Sequence, residues 1–338
     1  MSIYENHSLL LHNTFHIDCA AKYFTEINSI DALLELQQSD VFKSNELLML
    51  GGGSNILFTK NFNGLVVKNS LLGKELIKED ADYYYVKIGA GEGWHDFVLW
   101  CIANNYAGVE NLSLIPGRVG ASPMQNIGAY GVEIKDVFES LEAVHAKDGS
   151  KKIFTNSECE FGYRESVFKR KLRNQYIITS VVFKLKKKTN FNTSYGAIEK
   201  ELEVMGIKDL SIKAISDAVI RIRSSKLPDP KVIGNAGSFF KNPEILTAQC
   251  EALKQQFPNI VSYPLENGNA KLAAGWLIEQ AEWKGKRFGD AGVHVNQALV
   301  LVNYDKAQGN EIYDLSSKIV ESVKTKFGVE LEREVNIY

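Results

Sequence analysis

Apolar residues recur along this chain in two rhythms, and the change from one to the other places its elements. Trp94, Phe97, Val98 and Cys101 fall at i, i+3, i+4 and i+7, which is one face of a helix. That helix is expected to stop by Asn104 and Asn105, ahead of Gly108. Ile212, Ile215, Val219 and Ile222 make a second helical stripe. It must end before Pro228 and Pro230, because proline cannot continue a helix and also restricts the residue before it. Further helices are predicted over residues 243–257, 272–283 and 310–327. Short apolar runs read as strands at 47–50, 65–68, 83–88, 141–146, 176–184 and 298–303, the last of them buried, and the final LEREVNIY is strand-like. Helices and strands mix without regular strand–helix–strand alternation, which argues for an α+β fold over a doubly wound sheet. The KLPDP segment at 226–230 reads as a stiff joint, and a domain boundary is placed there.

Composition narrows the class without naming a chemistry. At 338 residues the chain has room for two or three domains. Hydrophobic content of 45% and charged content of 24% are those of an ordinary globular protein. A net charge of −2 gives no electrostatic footprint for nucleic acid. The basic run KLKKK at 184–188 follows the apolar YIITSVVF and reads as a solvated strand end. Cys19, Cys101, Cys159 and Cys250 lie far apart, with no CxxC or zinc-finger spacing, so no metal is expected. The amino-terminal MSIYENHSLLLHN has polar residues where a leader would be apolar, and no run of about 20 apolar residues exists to span a membrane. A cytoplasmic location is expected. His145 and His294 sit in strand-like segments without a partner at ligand spacing and read as structural.

Four segments carry candidate chemistry. GGGSN at 51–55 follows a strand, and consecutive glycines let backbone N–H groups converge on an anion. It is neither the GxGxxG nor the GK[ST] motif, and an ordinary turn reads equally well. IPGRVGASPMQNIGAYG at 115–131 is rich in glycine and amides and almost free of charge. Backbone can approach a flat ligand closely there, with amides meeting heteroatoms on its rim, or the segment is a structural loop over the core. FGYRES at 161–166 sets the permanently charged Arg164 among aromatics, either to grip a carboxylate or as a surface pair with Glu165. GNAGSFFKNP at 234–243 reads as a Gly-supported turn that projects the Ser238 hydroxyl, or as a turn closing a core on Phe239 and Phe240. Glu332 and Glu334 alternate along the final strand and share a face, either a functional one or a plain solvated one.

Those segments, with AAGWLIEQ at 273–280 and LEREV at 331–335, occur in the order found in the UDP-N-acetylenolpyruvoylglucosamine reductase family. The resemblance covers nearly the whole chain. The glycine-rich motifs alone are shared with other flavoproteins of the vanillyl-alcohol-oxidase type, whereas the serine turn, the FGYR segment and the terminal glutamate are specific to the reductase. The resemblance implies a vanillyl-alcohol-oxidase-type FAD-binding fold of two subdomains, 1–68 and 69–227. It also implies a substrate-binding α+β domain at 228–328 and a final strand, 329–338, returning to the FAD side. It implies non-covalent FAD, NADPH as reductant, a sugar-nucleotide substrate and a monomer.

Site residues follow from the same resemblance. Catalysis is assigned to Ser238 as proton donor, with Arg164 and Glu334 stabilising the enolate. FAD is assigned to Gly51, Gly52, Gly53, Ser54 and Asn55, and to Pro116, Gly117, Gly120, Ala121 and Ser122. Gln125, Asn126, Gly128, Ala129 and Tyr130 complete that set. Tyr195, Lys226, Asn242, Lys284 and Gln297 are assigned to substrate, with Tyr195 as a lid because NTSYG at 192–196 resembles the tyrosine loop of the family's longer type. One departure stands out. The family pattern has arginine after the terminal Glu-Val, and here the residue is Asn336. Two other functions remain: a flavin-dependent oxidase, which has no need of Ser238, Arg164 and Glu334 together, and a non-catalytic flavin or sugar-nucleotide module.

Overall fold

The stripe of Trp94, Phe97, Val98 and Cys101 folds as the helix Trp94–Ala103, with all four side chains buried. Asn104 follows as its C-cap, and Asn105 turns left-handed at φ 58°, a conformation asparagine tolerates, so the helix ends there. The buried face packs on a five-stranded antiparallel sheet, and the whole is described in a computed structural model covering residues 2–338. The strand order is Lys151–Thr155, Phe138–His145, Tyr176–Lys186, Tyr83–Gly89, Lys74–Glu79. Phe97 stacks on Phe183 with centroids 4.7 Å apart, and Trp94 meets both rings edge-on. The Tyr176–Lys186 strand is a near-continuous apolar run because it is covered on both faces. Ile178 and Phe183 join the core under the helix, and Ile177 joins a second core with Leu33, Leu36, Leu65 and Val67.

That second core lies on a four-stranded sheet ordered Tyr4–Ser8, Ala20–Ile27, Phe62–Asn69, Leu47–Leu50, its last pair parallel. The Ile30–Gln38 helix covers it, started by Ser29, whose Oγ accepts the N–H of Ala32 at 3.1 Å. A third cluster joins the helix Ile212–Lys226 to a short helix, Gly196–Val204. Ile198 and Leu202 pack there against Ile215, Val219 and Ile222. These elements make one compact unit, built from the segment ending at His7, Ala21–Gly52 and Asn63–Ser225.

The second unit comprises Ser8–Ala20, Gly53–Phe62 and Lys226–Tyr338, so the KLPDP joint begins its longest stretch. An antiparallel sheet runs Gly234–Ser238, Val300–Asn303, Ala291–Val293, Arg287–Phe288. All four residues of Val300–Asn303 are buried. The helix Gly309–Phe327 opens with a reciprocal capping box between Gln308 and Glu311 and closes on Gly328 at φ 64°. The helix expected over 243–257 starts only at Thr247, because Glu244–Leu246 pairs with Asn269–Leu272 as an edge strand. The helix expected over 272–283 is shortened to Ala274–Gln280. The strand-like ending supplies a bridge from Arg333 to Phe240 and a two-residue strand, Asn336–Ile337, parallel to Ile56–Leu57.

Among the described residues no helix is long and apolar enough to cross a membrane, and no group of three or more His, Cys, Asp or Glu side chains is placed to hold a metal ion. All four cysteines are buried thiols; burial, with the charge of Asp18, pushes Cys19 up to about 12.

Candidate active site

In the first unit the two glycine-rich segments face each other backbone to backbone. A Cβ on Gly52 would lie 3.2 Å from Cα of Gly117, and one on Gly51 would lie 3.4 Å from Cβ of Arg118. Gly120 is pressed on the sheet, where a Cβ would come within 2.5 Å of the Cβ of Ala90. Arg118 donates from Nη1 to the carbonyl of Gly91 at 3.0 Å, which pins the loop beside the glycines. Ala121 and Pro116 are exposed, whereas Ser122 is buried and donates to the carbonyl of Val119 at 2.7 Å. Asn126, also assigned to the cofactor, has its side chain engaged within the loop. It is fully buried, with Nδ2 donating to Glu133 and to the Gly162 carbonyl while Oδ1 accepts the N–H of Lys135. Both of its donor hydrogens are used inside the loop, so its side chain is a brace for the cradle.

The end of the second segment is a tight hairpin. Gly128–Ala129 pairs with Val132–Glu133 around Tyr130 and Gly131, at φ 51° and 77°, the two left-handed positions of a type I′ turn. Arg164, itself at φ 53°, donates from Nη2 to the Gly128 carbonyl at 2.7 Å. Its guanidinium lies so near Gly128 that a Cβ there would stand 3.3 Å from Nη1. Tyr195 meets Tyr130 edge-to-face at 5.4 Å and 82°. Asn111, buried, donates to the carbonyls of Tyr130 and Asn192 at 3.0 and 2.9 Å, which ties the Tyr195 segment to the glycine-rich loop. The segment runs straight into the helix Gly196–Val204, with Tyr195 as its N-cap residue.

Sequence reasoning missed Arg223 and His95. Arg223 lies on the Ile212–Lys226 helix, donates to the carbonyl of Leu114 at 3.3 Å and hydrogen-bonds Tyr130. It thereby staples both ends of the 115–131 segment. Burial presses its guanidinium below the ordinary arginine value and raises the phenol of Tyr130. His95 accepts the N–H of Leu114 on Nδ1 at 3.0 Å, and burial holds its pKa below the ordinary 6.5. Leu114 is itself left-handed at φ 58°. Neither side chain carries a motif; only the placement of its helix reveals it.

In the second unit the Gly234–Ser238 strand has a bulge before its end. Asn235 pairs with Val302 and Ser238 with Val300, one residue more on the serine strand. Gly237, at φ 70°, makes the kink, and Ser238 emerges exposed while Phe239 and Phe240 are buried. The carboxy-terminal segment zips along this turn. The N–H of Glu334 donates to the Phe239 carbonyl at 2.8 Å, and that of Lys241 to the Glu332 carbonyl at 2.9 Å. Lys241 also ion-pairs with Glu332 at 2.5 Å, and the backbone of Glu334 lies beside the serine turn. Asn336, where the family pattern has arginine, donates from its amide Nδ2 to the Asn55 carbonyl at 2.9 Å, and Asn55 returns a bond to the carbonyl of Glu334.

The remaining assigned residues of this unit are held in telling ways. Asn242 accepts the N–H of Ala274 on Oδ1 at 3.0 Å, and Gln297 accepts that of Leu299 on Oε1 at 3.3 Å. Each amide thus has its oxygen engaged by backbone and presents its NH₂ group as a donor. Lys226 is exposed at the carboxy-terminal end of its helix, and Lys284 is exposed in an ion pair with Glu279 at 2.9 Å.

Comparison with known proteins turns this geometry into a family assignment. An FAD-binding-domain model matches residues 24–152, and a model of the C-terminal domain of UDP-N-acetylenolpyruvoylglucosamine reductase matches residues 229–338. The glycines let the two loops approach at backbone distance within the region matched to an FAD-binding domain, and beside Tyr130 the buried Oδ1 of Asn111 has no donor among the described residues. The UDP-N-acetylenolpyruvoylglucosamine reductase of Flavobacterium johnsoniae is 52% identical over 338 residues, covering 100% of both chains. The reductases of Amoebophilus asiaticus and Pseudomonas putida are 51% and 46% identical, the alignments covering 100% and 99% of this chain and 99% and 98% of theirs. The crystal structure of the Thermus caldophilus reductase superposes with a TM-score of 0.67 at 23% identity, covering 100% of this chain and 98% of that one, and shares the fold. With an α+β fold and an FAD-binding-domain match over both glycine-rich loops, the chain belongs to the UDP-N-acetylenolpyruvoylglucosamine reductase family of FAD-dependent oxidoreductases.

Proposed function

We propose that this enzyme uses NADPH to reduce the enolpyruvyl group of UDP-N-acetylglucosamine-enolpyruvate to UDP-N-acetylmuramate, in cytoplasmic synthesis of peptidoglycan precursor. The observation that carries this reading is the Ser238 turn, an exposed hydroxyl raised on a bulge and flanked by the segment bearing Glu334. FAD, held by the glycine-rich loops at 51–55 and 116–130, would supply the hydride chemistry that links NADPH to the terminal carbon of the enol ether. Negative charge then develops on the adjoining carbon and the substrate carboxylate. Arg164 meets that charge with a planar fork already oriented by its bond to the Gly128 carbonyl. Glu334 completes the carboxylate site, and Ser238 Oγ–H delivers a proton to the carbon next to the carboxylate.

Tyr195, Lys226, Asn242, Lys284 and Gln297 hold the sugar nucleotide. The fixed NH₂ groups of Asn242 and Gln297 support this, since both suit the oxygen-rich ligand. Lys284 exchanges its exposed partner Glu279 for a diphosphate oxygen, a change favoured by the weakness of exposed ion pairs. Lys226 also meets the NADPH phosphates. Residues 1–68 and 69–227 act as the FAD-binding subdomains and 228–328 as the substrate domain, with 329–338 completing the cofactor side, and the enzyme works as a monomer.

The test is optical. The purified protein is yellow, NADPH bleaches it, and the enolpyruvyl sugar nucleotide restores the colour. Restoration by oxygen as fast as by that substrate would overturn the reading in favour of an oxidase. Bleaching by NADH as readily as by NADPH would remove the NADPH assignment.

A further inference from the structure

Residues 9–17 fold into a small plug within the second unit. Asn13 closes it, its Nδ2 donating to the carbonyls of Leu9 and Ile17 at 2.8 and 3.0 Å and its Oδ1 accepting the Ile17 N–H at 2.9 Å. Leu9, Phe15 and Ile17 are buried, so the plug is a rigid platform. Thr14 on that platform makes four bonds, one of them from its hydroxyl to the Gly53 carbonyl at 3.3 Å. Its N–H donates to the Gly53 carbonyl at 3.1 Å, its carbonyl accepts the N–H of Asn235 at 2.9 Å, and its hydroxyl donates to the Asn235 carbonyl at 2.6 Å. Gly53 belongs to the cofactor loop and is left-handed at φ 63°, and a Cβ there would collide with the His12 carbonyl at 2.1 Å.

Asn235 carries the connection forward. Its buried side chain accepts the N–H of Gly237 at 3.0 Å and donates to the carbonyls of Ile233 and Pro228 at 2.8 and 3.2 Å. The next residue after Gly237 is Ser238. The plug holds the flanks of the turn as well. The Phe15 carbonyl takes the Nδ2 of Asn303 at 2.8 Å, and the Phe15 ring meets Phe239 edge-on at 6.2 Å.

We propose that Thr14 is a positioning residue for the reductase reaction, setting the Ser238 turn in register with the cofactor loop at Gly53. The proposal rests on the reading of Ser238 as proton donor. Thr14 is remote in sequence from both segments it joins, and nothing in its neighbourhood marks it as part of a site. It acts through Asn235 and Gly237 and touches no reacting atom itself.

Thr14→Val weighs on the Asn235 side, because valine keeps the shape and the 3.1 Å main-chain bond to Gly53 while losing the short hydroxyl bond to Asn235 and only a longer 3.3 Å one to Gly53. In the holoenzyme, stopped-flow should show the reduction step by NADPH within about twofold of wild type and reoxidation by the enolpyruvyl substrate slowed about tenfold, the usual scale for one lost hydrogen bond. Thr14→Ser should restore the second step. Amide exchange at 234–240 should quicken in Thr14→Val and not in Thr14→Ser. Adding Thr14→Val to Ser238→Ala should cost nothing further, since the two act as one unit. Equal slowing of both steps, full additivity with Ser238→Ala, or unchanged exchange at 234–240 would each overturn the proposal. If Ser238→Ala itself proves near wild type, the proton-donor reading falls, while the exchange measurement still decides whether Thr14 holds the turn. Should Thr14→Val fold poorly, Thr14→Ala reads the same split.

Discussion

At Gly120, in the first unit, an added methyl group would sit 2.5 Å from the Cβ of Ala90, whereas at Gly237, in the second, it would meet nothing within 4 Å. The cradle needs glycine for room, and the serine turn needs it for a φ of 70°. The cradle also contains left-handed residues that are not glycine, Leu114, Asn126 and Tyr130, with Arg164 beside it. Such residues cost on the order of 1–2 kcal/mol each outside asparagine, and they persist because neighbouring side chains over-determine them. His95, Arg223 and Asn111 do so here. The serine turn is held by the buried Asn235, by Thr14 and by backbone bonds to the carboxy-terminal segment. The lesson is that the cradle's glycines are required by close approach and the serine turn's by backbone geometry, so the two should fail in different ways.

The sharpest break in that contrast is Ser238→Ala. It should leave reduction by NADPH intact and slow reoxidation by the enolpyruvyl substrate by about 10²–10⁴-fold, read step by step in stopped flow. Two unaffected steps would make Ser238 structural. Arg164→Lys should slow the same second step by about 10²-fold, because an ammonium cannot replace the fork held at Gly128; recovery of wild-type rates would show that charge alone suffices.

The glycines test packing against geometry directly. Gly120→Ala should destabilise the holoenzyme by about 1–3 kcal/mol through overpacking and release FAD, measured by urea midpoint and flavin fluorescence. Gly237→Ala should cost about 1 kcal/mol of left-handed strain and keep FAD bound. Equal flavin loss in both variants would erase the distinction. Tyr195→Ala removes an edge-to-face contact worth about 0.5–1.5 kcal/mol, so substrate KM should rise a few-fold with FAD retention unchanged. Amide exchange over 186–198 should slow on substrate addition, and an unresponsive segment would end the lid assignment.

The smallest expected effect is a pH dependence on the cradle side. Nδ1 of His95 must stay unprotonated to accept from Leu114, and burial depresses its folded pKa below 6.5. The stability linked to it is therefore complete above pH 6.5 and is lost as pH falls through the folded value. His294, also depressed by burial, adds a step of the same sign. His95→Asn keeps an acceptor near the same place, so its urea midpoint should fall less than that of wild type between pH 7 and 5. An identical fall would assign the whole effect to other groups.

Periodic apolar patterns made the large helices and central strands legible, since their burial repeats in sequence. Lys74–Glu79 escaped because the strand is exposed throughout and presents no apolar face to detect. The Gly196–Val204 helix escaped because only Ile198 and Leu202 are buried along it, too few to establish a period. At the site, motifs revealed residues whose own chemistry is conspicuous: Ser238, Arg164 and the glycines. Arg223, His95, Asn111 and Thr14 act on backbone carbonyls and amides far away in sequence. No residue type advertises which distant carbonyl it will meet, so these became visible only once the chain was folded.

The interleaving of the two units carries a consequence for the birth of the protein. Residues 8–20 and 53–62 are synthesised early, yet their unit is completed only by residues beyond 225. Ile56 and Leu57 wait for Asn336 and Ile337, and Phe58 and Phe62 wait for the ring of Tyr338. At about 5–20 residues per second, the ribosome needs on the order of ten seconds or more to supply those partners. During that interval the nascent chain displays the apolar side chains of its plug and loop to the cell. Burial of these side chains is thus among the last events of its folding.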